Sequence, residues 1–266
     1  MKIHTVKLVC FSPTGTSKAV VRAIAEGIGH DRTDLLDITA PEARERPLRA
    51  AADELLVVAV PVYMGRVPAV LDDWLAAVEA AGTPTVCVAV YGNRVYEDAL
   101  LELRDRLAAA GCRPIAGAAY IGEHSFSRAG TPTAAGRPDA GDLAHAESFG
   151  RAIREKLLAA PSADAIPEAA LPGCRPYRGD PTLWLVDFIE VGDGCTHCGV
   201  CAAVCPVGAI DPDDSARVET ARCITCCACI KRCPAGARTM KPGLVMDASV
   251  RLHTLYGERK EPEIFL

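Results

Sequence analysis

Apolar runs and helical patterns alternate along the first 160 residues of the chain. Runs with the length of a buried strand occupy five segments: residues 3–11, 34–38, 55–62, 85–91 and 113–121. Apolar residues spaced as on one face of a helix lie between or after them, in residues 19–27, 67–80, 96–110 and 142–159. Since buried strands that alternate with helices form parallel sheets, this pattern predicts an α/β domain with a doubly wound parallel sheet.

A ligand site is expected where the strands of such a sheet end. Residues 12–17 (SPTGTS) follow the first strand and precede a helix, so hydroxyl groups, backbone N–H groups and the positive end of the helix dipole converge there. This combination suits a phosphate group. An ordinary helix start is the alternative interpretation, because Ser and Thr are favoured at that position for local hydrogen bonding.

Two further loops, at the ends of the third and fourth strands, contain aromatic residues and a glycine. They are residues 61–68 (PVYMGRVP) and 91–96 (YGNRVY). The glycines allow the backbone to approach a flat ligand closely, and the rings of Tyr63, Tyr91 and Tyr96 can pack against it. Arg66 and Arg94 are expected to face either this ligand or solvent.

The first 160 residues resemble the flavodoxin family, whose phosphate loop has the pattern that Ser12, Thr14, Gly15 and Ser17 match. The resemblance implies a five-stranded sheet in the order 2-1-3-4-5, with the FMN phosphate in the first loop and the isoalloxazine ring between the other two. The implied FMN residues are Ser12, Thr14, Gly15, Thr16, Ser17, Pro61, Val62, Tyr63, Met64, Gly65, Tyr91, Gly92, Asn93, Arg94 and Tyr96.

Two departures from the flavodoxin pattern bear on function. Pro13 stands where the family often has glycine, so one backbone N–H donor is missing from the phosphate loop. Neither ring loop contains Trp, which commonly covers one flavin face, so a substrate or a redox partner has room there. After the fifth strand, His124 lies in a long loop and is the candidate catalytic residue, since a histidine that titrates near neutrality can supply a proton. A surface or structural role is the alternative.

Nine of the 13 cysteines lie between residues 195 and 233, in two runs with identical spacing. Each run matches the C-x2-C-x2-C-x3-C-P pattern of two-cluster ferredoxins, in which the fourth cysteine binds the other cluster. The expected ligands are Cys195, Cys198, Cys201 and Cys233 for cluster one, and Cys223, Cys226, Cys229 and Cys205 for cluster two. Tetrahedral zinc is the alternative, but it has no use for the third cysteine of each run. Cys227 lies outside the spacing and is not expected to be a ligand.

The distribution of cysteine and proline predicts the domain organisation. Five prolines between residues 161 and 181 discourage a continuous helix or central strand, so this part is interpreted as a linker. The expected parts are a flavodoxin-like FMN-binding domain, a linker, a small α+β ferredoxin-like domain and a tail that docks on the first domain: residues 1–160, 161–185, 186–242 and 243–266.

Charge and hydropathy limit the partners and the location. The net charge of −5 and the lack of a Lys/Arg run argue against nucleic acid as a partner. No apolar run reaches the roughly 20 residues that span a bilayer, and the first residues make a poor signal peptide. A cytoplasmic location, where thiols stay reduced and dense cysteines favour metal binding, is therefore expected.

The whole chain resembles flavodoxin–ferredoxin fusion proteins, which implies FMN and two [4Fe–4S] clusters. The first hypothesis is an iron–sulfur flavoprotein that transfers electrons between a low-potential cytoplasmic donor, the clusters and FMN, and supplies a partner reductase. The second is a flavin-dependent reductase of a small organic acceptor, and the third is a redox-responsive regulator. A redox partner protein, either a ferredoxin-type donor or a reductase, is expected, with a homodimer as a further possibility and no membrane partner.

Overall fold

The computed structural model describes residues 1–181 and 184–266, so residues 182 and 183 of the predicted linker lie outside the described residues. The first part of the chain contains β1 (Thr5–Cys10), α1 (Thr16–Ile28), β2 (Thr33–Asp37), β3 (Arg49–Ala50), β4 (Glu54–Pro61), α2 (Asp72–Ala76), β5 (Glu79–Ala80), β6 (Thr83–Tyr91), α3 (Ala99–Ala109), β7 (Cys112–Ile121) and α4 (Ala140–Ala159). The later part contains β8 (Ile189–Val191), α5 (Val200–Ala203), α6 (Ala228–Lys231), β9 (Arg238–Met240), α7 (Leu244–Tyr256) and β10 (Glu263–Phe265).

A six-stranded sheet in the order β10-β7-β6-β4-β1-β2 forms the centre of the molecule. Five of its strands, β2-β1-β4-β6-β7, come from the first part of the chain and are parallel. Numbered without the short β3 and β5, which form a separate sheet, their order is the predicted 2-1-3-4-5. This strand order is that of the flavodoxin-like doubly wound fold, which confirms the predicted fold class. The sixth strand, β10, pairs antiparallel with β7 and was not anticipated as part of the sheet.

Helices cover both faces of the sheet and bury its central strands β1, β4, β6 and β7. On one face, α1 and α4 cross in close contact over a core that includes Val20, Ile24 and Phe149. A Cβ atom on Gly27 would lie 1.9 Å from the carbonyl oxygen of Glu147, so only glycine permits this approach. On the other face, α3 and the segment around α2 pack against the sheet.

The helix expected over residues 67–80 is the clearest error in the predicted elements. The structure has a 3-10 turn at Ala69–Leu71, the short α2 and then β5, which pairs with β3. Pro68 lies directly before the turn, and the residues after α2 form ladder hydrogen bonds instead of another helical turn. The apolar spacing is still informative, since Trp74 and Leu75 are buried against the sheet.

The cysteine-rich region forms a second, smaller unit. Its strands β8 and β9 pair antiparallel, and its helices α5 and α6 have four residues each. The long helix α7 follows, and the chain then returns to the first domain. None of the helices in the described ranges is long and apolar enough to cross a membrane.

The C-terminal tail lies on the flavodoxin-like domain at the edge of the sheet. Ile264 in β10 lies opposite Ala118 in β7. The Nδ2 group of Asn93 donates hydrogen bonds to the carbonyl oxygens of Tyr256 (2.6 Å) and Glu258 (2.8 Å). Because Asn93 is only 1% exposed, its amide is a buried anchor for the start of the tail.

We expect that replacing Asn93 with Gly lowers the free energy of unfolding by about 1–3 kcal/mol, because two carbonyl groups lose their donor. Gly is chosen because Asn93 has a φ of +66°, which would strain an alanine. Urea unfolding followed by circular dichroism provides the measurement. The control is Arg259→Ala, which removes half-exposed ion pairs with Asp139 and Glu261 and should cost much less. Equal effects of the two variants would contradict the assignment of Asn93 as the anchor.

Candidate functional site

The predicted phosphate loop forms a tight turn at the start of α1. The backbone N–H of Lys18 donates to Ser12 Oγ (3.0 Å), and the N–H of Ser12 donates to Thr39 Oγ1 (2.8 Å). Gly15 has a φ of +96° and immediately precedes the helix. Ser12 therefore ties the loop both to α1 and to the segment after β2, while the N–H groups of Thr16 and Ser17 at the start of α1 lack helical partners.

Ser17 indicates that this loop fits a phosphate. Its hydroxyl group is fully buried and has no hydrogen-bond partner among the described residues. A buried hydroxyl without a partner is costly, and a phosphate oxygen at the helix N-terminus would satisfy it. The residues present therefore fit the phosphate of FMN, although Pro13 supplies no donor.

A cation from the cysteine-rich region lies against the same loop. Nη2 of Arg232 is 3.4 Å from the carbonyl oxygen of Thr14, and it would be 2.8 Å from a Cβ atom on Gly15. Lys18, by contrast, pairs with Asp37. Sequence reasoning missed Arg232 because the contact joins two residues that are 218 positions apart.

A cavity runs from the phosphate loop to the two ring loops, and we call it the loop cavity. Most of the FMN residues implied by the resemblance line it or the adjoining space. The lining residues are Thr14, Thr16, Pro61, Val62, Tyr63, Met64, Val90, Tyr91, Gly92, Gly122, Glu123, His124, Ser125, Phe126, Ile224 and Thr225. Ile224 and Thr225 come from the second cysteine run, so the cysteine-rich region closes one side of the loop cavity.

Two implied FMN residues lie elsewhere. Asn93 holds the tail, and Tyr96 packs against Tyr91 and donates its hydroxyl hydrogen to Glu263 Oε2 (3.1 Å) in β10. Neither lines the loop cavity or the larger cavity described below. The tail engages both side chains, and the role of these two residues in FMN binding stays a prediction.

His124 is in the site, but its expected titration near neutrality is wrong. It lines the loop cavity, and a Cβ atom on Gly92 would lie 2.3 Å from its ring, so glycine is needed there. Burial, with the nearby charges of Lys231 and Arg94, lowers the pKa of His124 to about 4. Its Nδ1 accepts a hydrogen bond from the N–H of Phe126 (3.0 Å), so at neutral pH the ring is uncharged and its proton is on Nε2.

A larger cavity of about 750 Å³ adjoins the loop cavity, and we call it the chamber. It shares Val62, Met64, Tyr91, Gly92, His124 and Phe126 with the loop cavity, and it also contacts Gly65 and Arg94. Its other walls come from the linker and from α7: Arg178, Gly179, Asp180, Trp184, Ala248, Arg251, Leu252 and Tyr256. Three separate parts of the chain therefore enclose it.

The four cysteines expected to bind cluster two line one cavity, which we call the cysteine cavity, and Cys227 lines it as well. The four are Cys205 from the first run and Cys223, Cys226 and Cys229 from the second. The backbone N–H of Ala209 donates to Cys205 Sγ (3.2 Å). This arrangement brings together the crossed set that the spacing predicted, although nothing in the described chain gathers three such side chains around a single metal ion.

The other predicted set lies nearer the surface. Cys201 is buried, Cys195 and Cys233 are half-buried, and Cys198 is exposed. Nη1 of Arg238 donates to Cys201 Sγ (3.2 Å). The cysteines predicted for cluster one are therefore more exposed than those predicted for cluster two. A thiol of the first set accepts a hydrogen bond from the Arg238 side chain, and a thiol of the second set accepts one from the backbone N–H of Ala209.

Cys227 occupies a backbone position that explains its place outside the spacing. It precedes α6 with a φ of +57°, and Gly199 precedes α5 at the equivalent position with a φ of +72°. Cys227 therefore fills a turn position that the repeat requires to be left-handed. Burial, with the thiols of Cys226 and Cys229, raises the pKa of Cys227 well above its usual range, and its Sγ lies 3.7 Å from the carbonyl oxygen of Thr225.

The loop cavity and the cysteine cavity meet at one residue. Ile224 lines both, and it lies between Cys223 and Thr225 in the second cysteine run. Tyr63 lies on the other side of the contact: burial and the thiols of Cys226 and Cys227 raise the pKa of its hydroxyl. The predicted flavin site and the predicted site of cluster two are therefore adjacent.

Comparisons with known proteins agree with these two parts. Residues 188–234 match the family model described as a 4Fe-4S dicluster domain. No curated protein matches the chain. Among solved structures, a flavodoxin from the domain Archaea has 16% identity and a TM-score of 0.41, over 58% of this chain and 99% of that chain.

Two other solved structures give similar values. Flavodoxin 2 from Bacillus cereus has 15% identity and a TM-score of 0.41, over 57% of this chain and 99% of that chain. The apo form of an NADH:FMN oxidoreductase (EMOB) has 16% identity and a TM-score of 0.40, over 62% and 94%. The fold assignment itself rests on the strand order. The chain therefore joins a domain with the flavodoxin-like strand order to a region that matches a 4Fe-4S dicluster domain.

We expect opposite results from two cysteine substitutions. Cys227→Ala should leave the iron content unchanged, because the residue fills a turn position. Cys205→Ala should lower the iron content by about half, because one cluster loses its crossed ligand. Iron analysis and electron paramagnetic resonance of anaerobically reconstituted protein are the measurements. Loss of iron from the Cys227 variant, or full iron in the Cys205 variant, would contradict the crossed assignment.

Proposed function

We propose that this chain binds FMN and two [4Fe–4S] clusters and transfers electrons between a low-potential donor and a partner reductase. The observation that carries the proposal is the shared position of Ile224, which lines both the loop cavity and the cysteine cavity. A centre in one cavity would be separated from a centre in the other by a single segment of chain. Such proximity is what electron transfer between two centres requires.

The ligand sets of the two clusters are proposed from the spacing and from the cysteine cavity. Cys223, Cys226, Cys229 and Cys205 hold cluster two, whereas Cys195, Cys198, Cys201 and Cys233 hold cluster one. Cys198 is exposed, so cluster one is the contact point for a redox partner protein. The proposed route therefore runs from the surface through cluster one and cluster two to the loop cavity.

The loop cavity binds FMN in this proposal. The phosphate is held by the turn at residues 12–17, with Ser17 Oγ and the first turn of α1 as donors. The ring lies between residues 61–65 and 91–92, with His124 as a neutral hydrogen-bond donor through Nε2. Bound FMN would exchange one or two electrons, whereas each cluster exchanges one at a time.

A rapid-reduction experiment tests this function. In anaerobically prepared protein we expect about eight iron atoms per chain together with FMN. Reduced ferredoxin should then bleach the flavin absorbance quickly in the unmodified protein and at least about tenfold more slowly in Cys205→Ala, because the route lacks cluster two. Absence of iron, or equally fast flavin reduction in both proteins, would contradict the proposal.

The chamber favours a second candidate function, the reduction of a small organic acceptor. Its volume of about 750 Å³ is in the range of ligand pockets, and it adjoins the ring loops. Trp184, Phe126 and Tyr256 provide aromatic surface. Among the lining residues, Arg94 pairs with Glu97 and Arg178 with Asp98, whereas the described contacts give Arg251 no ion pair. A flat acceptor beside the flavin fits this lining.

Filling the chamber distinguishes the two functions. Ala248→Trp places a large side chain in the chamber, and Val250→Trp adds the same side chain at an exposed position of the same helix. An enzyme should lose most of its turnover of an organic acceptor, by about tenfold or more, only in the Ala248 variant. A carrier should exchange electrons with ferredoxin equally well in both variants. Unchanged acceptor turnover in the Ala248 variant would rule out the chamber as the substrate site.

A further inference from the structure

Arg238 occupies a position where the internal repeat of the cysteine-rich region predicts an apolar residue. Cys205 is followed by PVGAI and Cys233 by PAGAR, so Arg238 is the equivalent of Ile210. Both are buried: Ile210 is 4% exposed and Arg238 is 3% exposed. The repeat therefore places a guanidinium group where its other half has a hydrocarbon side chain.

The polar contacts of Arg238 leave much of its hydrogen-bonding capacity unused. Nη1 donates to Cys201 Sγ (3.2 Å) and to the carbonyl oxygen of Ser215 (2.6 Å). Nε and Nη2 are buried and have no partner. Within the described residues, no carboxylate forms an ion pair with Arg238. In β9, Arg238 lies opposite Val191 of β8.

A buried cation without a counter-charge is strongly unfavourable. Thiolates that would hold an iron–sulfur cluster are a source of negative charge in direct contact with this cation, since Nη1 of Arg238 donates to Cys201 Sγ. Arg238 contacts the thiol of Cys201 directly, so the guanidinium group lies beside the predicted site of cluster one.

We propose that Arg238 is the resident counter-ion of the cluster held by Cys201, and that it raises the reduction potential of that cluster. The inference rests on the proposed function, since it requires bound clusters. Reduction adds one electron, and therefore one negative charge, to a group of thiolates that is already negative. A fixed cation in a buried site stabilises the reduced form more than the oxidised form.

The inference also accounts for a difference between the two clusters. At the equivalent position, Ile210 offers no charge, and Cys205 receives a hydrogen bond from the backbone N–H of Ala209. One cluster therefore has a cation at a place where the other has a hydrocarbon side chain.

A redox titration followed by electron paramagnetic resonance tests the inference on the full chain with its clusters bound. Arg238→Ile copies the other half of the repeat and removes the charge. We expect the one-electron reduction equilibrium of one cluster to shift at least about tenfold toward the oxidised form, which is a decrease of about 59 mV. Arg238→Lys keeps a charge and should restore a large part of the shift.

Arg217→Ala is the matched control, because it removes the same charge from an exposed ion pair with Asp211 in the same region. It should shift neither cluster by more than about twofold. Arg238→Gln, which keeps a donor without the charge, replaces the Ile variant if that protein does not bind iron. If the Arg238→Lys variant retains iron and both the Arg238→Ile and Arg238→Gln variants lose it, the result would support the need for a cation at this position.

Three outcomes distinguish a failure of this inference from a failure of the proposed function. Unchanged potentials of both clusters in Arg238→Ile or Arg238→Gln would overturn the inference. Loss of iron from the Ile, Gln and Lys variants alike would overturn it as well, because Lys keeps the charge. Absence of iron from the unmodified protein would overturn the proposed function instead.

Discussion

The packing of the second cysteine run against the carboxyl edge of the parallel sheet is the contact on which the proposed function depends. Ile224 and Thr225 lie between two predicted cluster ligands, and their side chains close the loop cavity. The same short segment therefore has one side facing sulfur and the other facing the predicted flavin. Arg232 and Lys231, a few residues further on, contact the phosphate loop and Glu123. One run of chain thus carries cluster ligands and forms much of the contact between the two domains.

Other segments of the chain also form contacts that join the two domains. Gly179 in the linker lies so close to Met64 that a Cβ atom would be 2.4 Å from its carbonyl oxygen. In α7, Ser249 donates to the carbonyl oxygen of Phe126 (2.8 Å), next to the loop of His124. The chain then ends in β10, which extends the sheet. The linker and α7 form part of the walls of the chamber, so the segments that join the domains also shape the space beside the ring loops.

Departures from the internal repeat are informative because the repeat defines what each position requires. Cys227 takes the left-handed position of Gly199, and Arg238 takes the buried apolar position of Ile210. A cysteine in such a turn is a tolerated substitution, whereas a buried guanidinium is costly unless a negative group compensates it. The first departure is explained by backbone geometry, and the second points to the charge of a cluster.

The sequence by itself determined the five main strands, most of the helices between them and the ligand spacing, since these follow from the local geometry of the chain. Period-two and period-3.6 patterns located the five parallel strands, and the spacing of the cysteines predicted the crossed set that surrounds one cavity. Tertiary structure alone decided which polar side chains stay available to a ligand. Asn93 and Tyr96 form hydrogen bonds with tail residues that are more than 160 positions away in the sequence. Burial, with the charge of Lys231, lowers the pKa of His124 and keeps its ring uncharged. Contacts of that kind depend on how the two domains pack, so no local pattern of residues in the sequence predicts them.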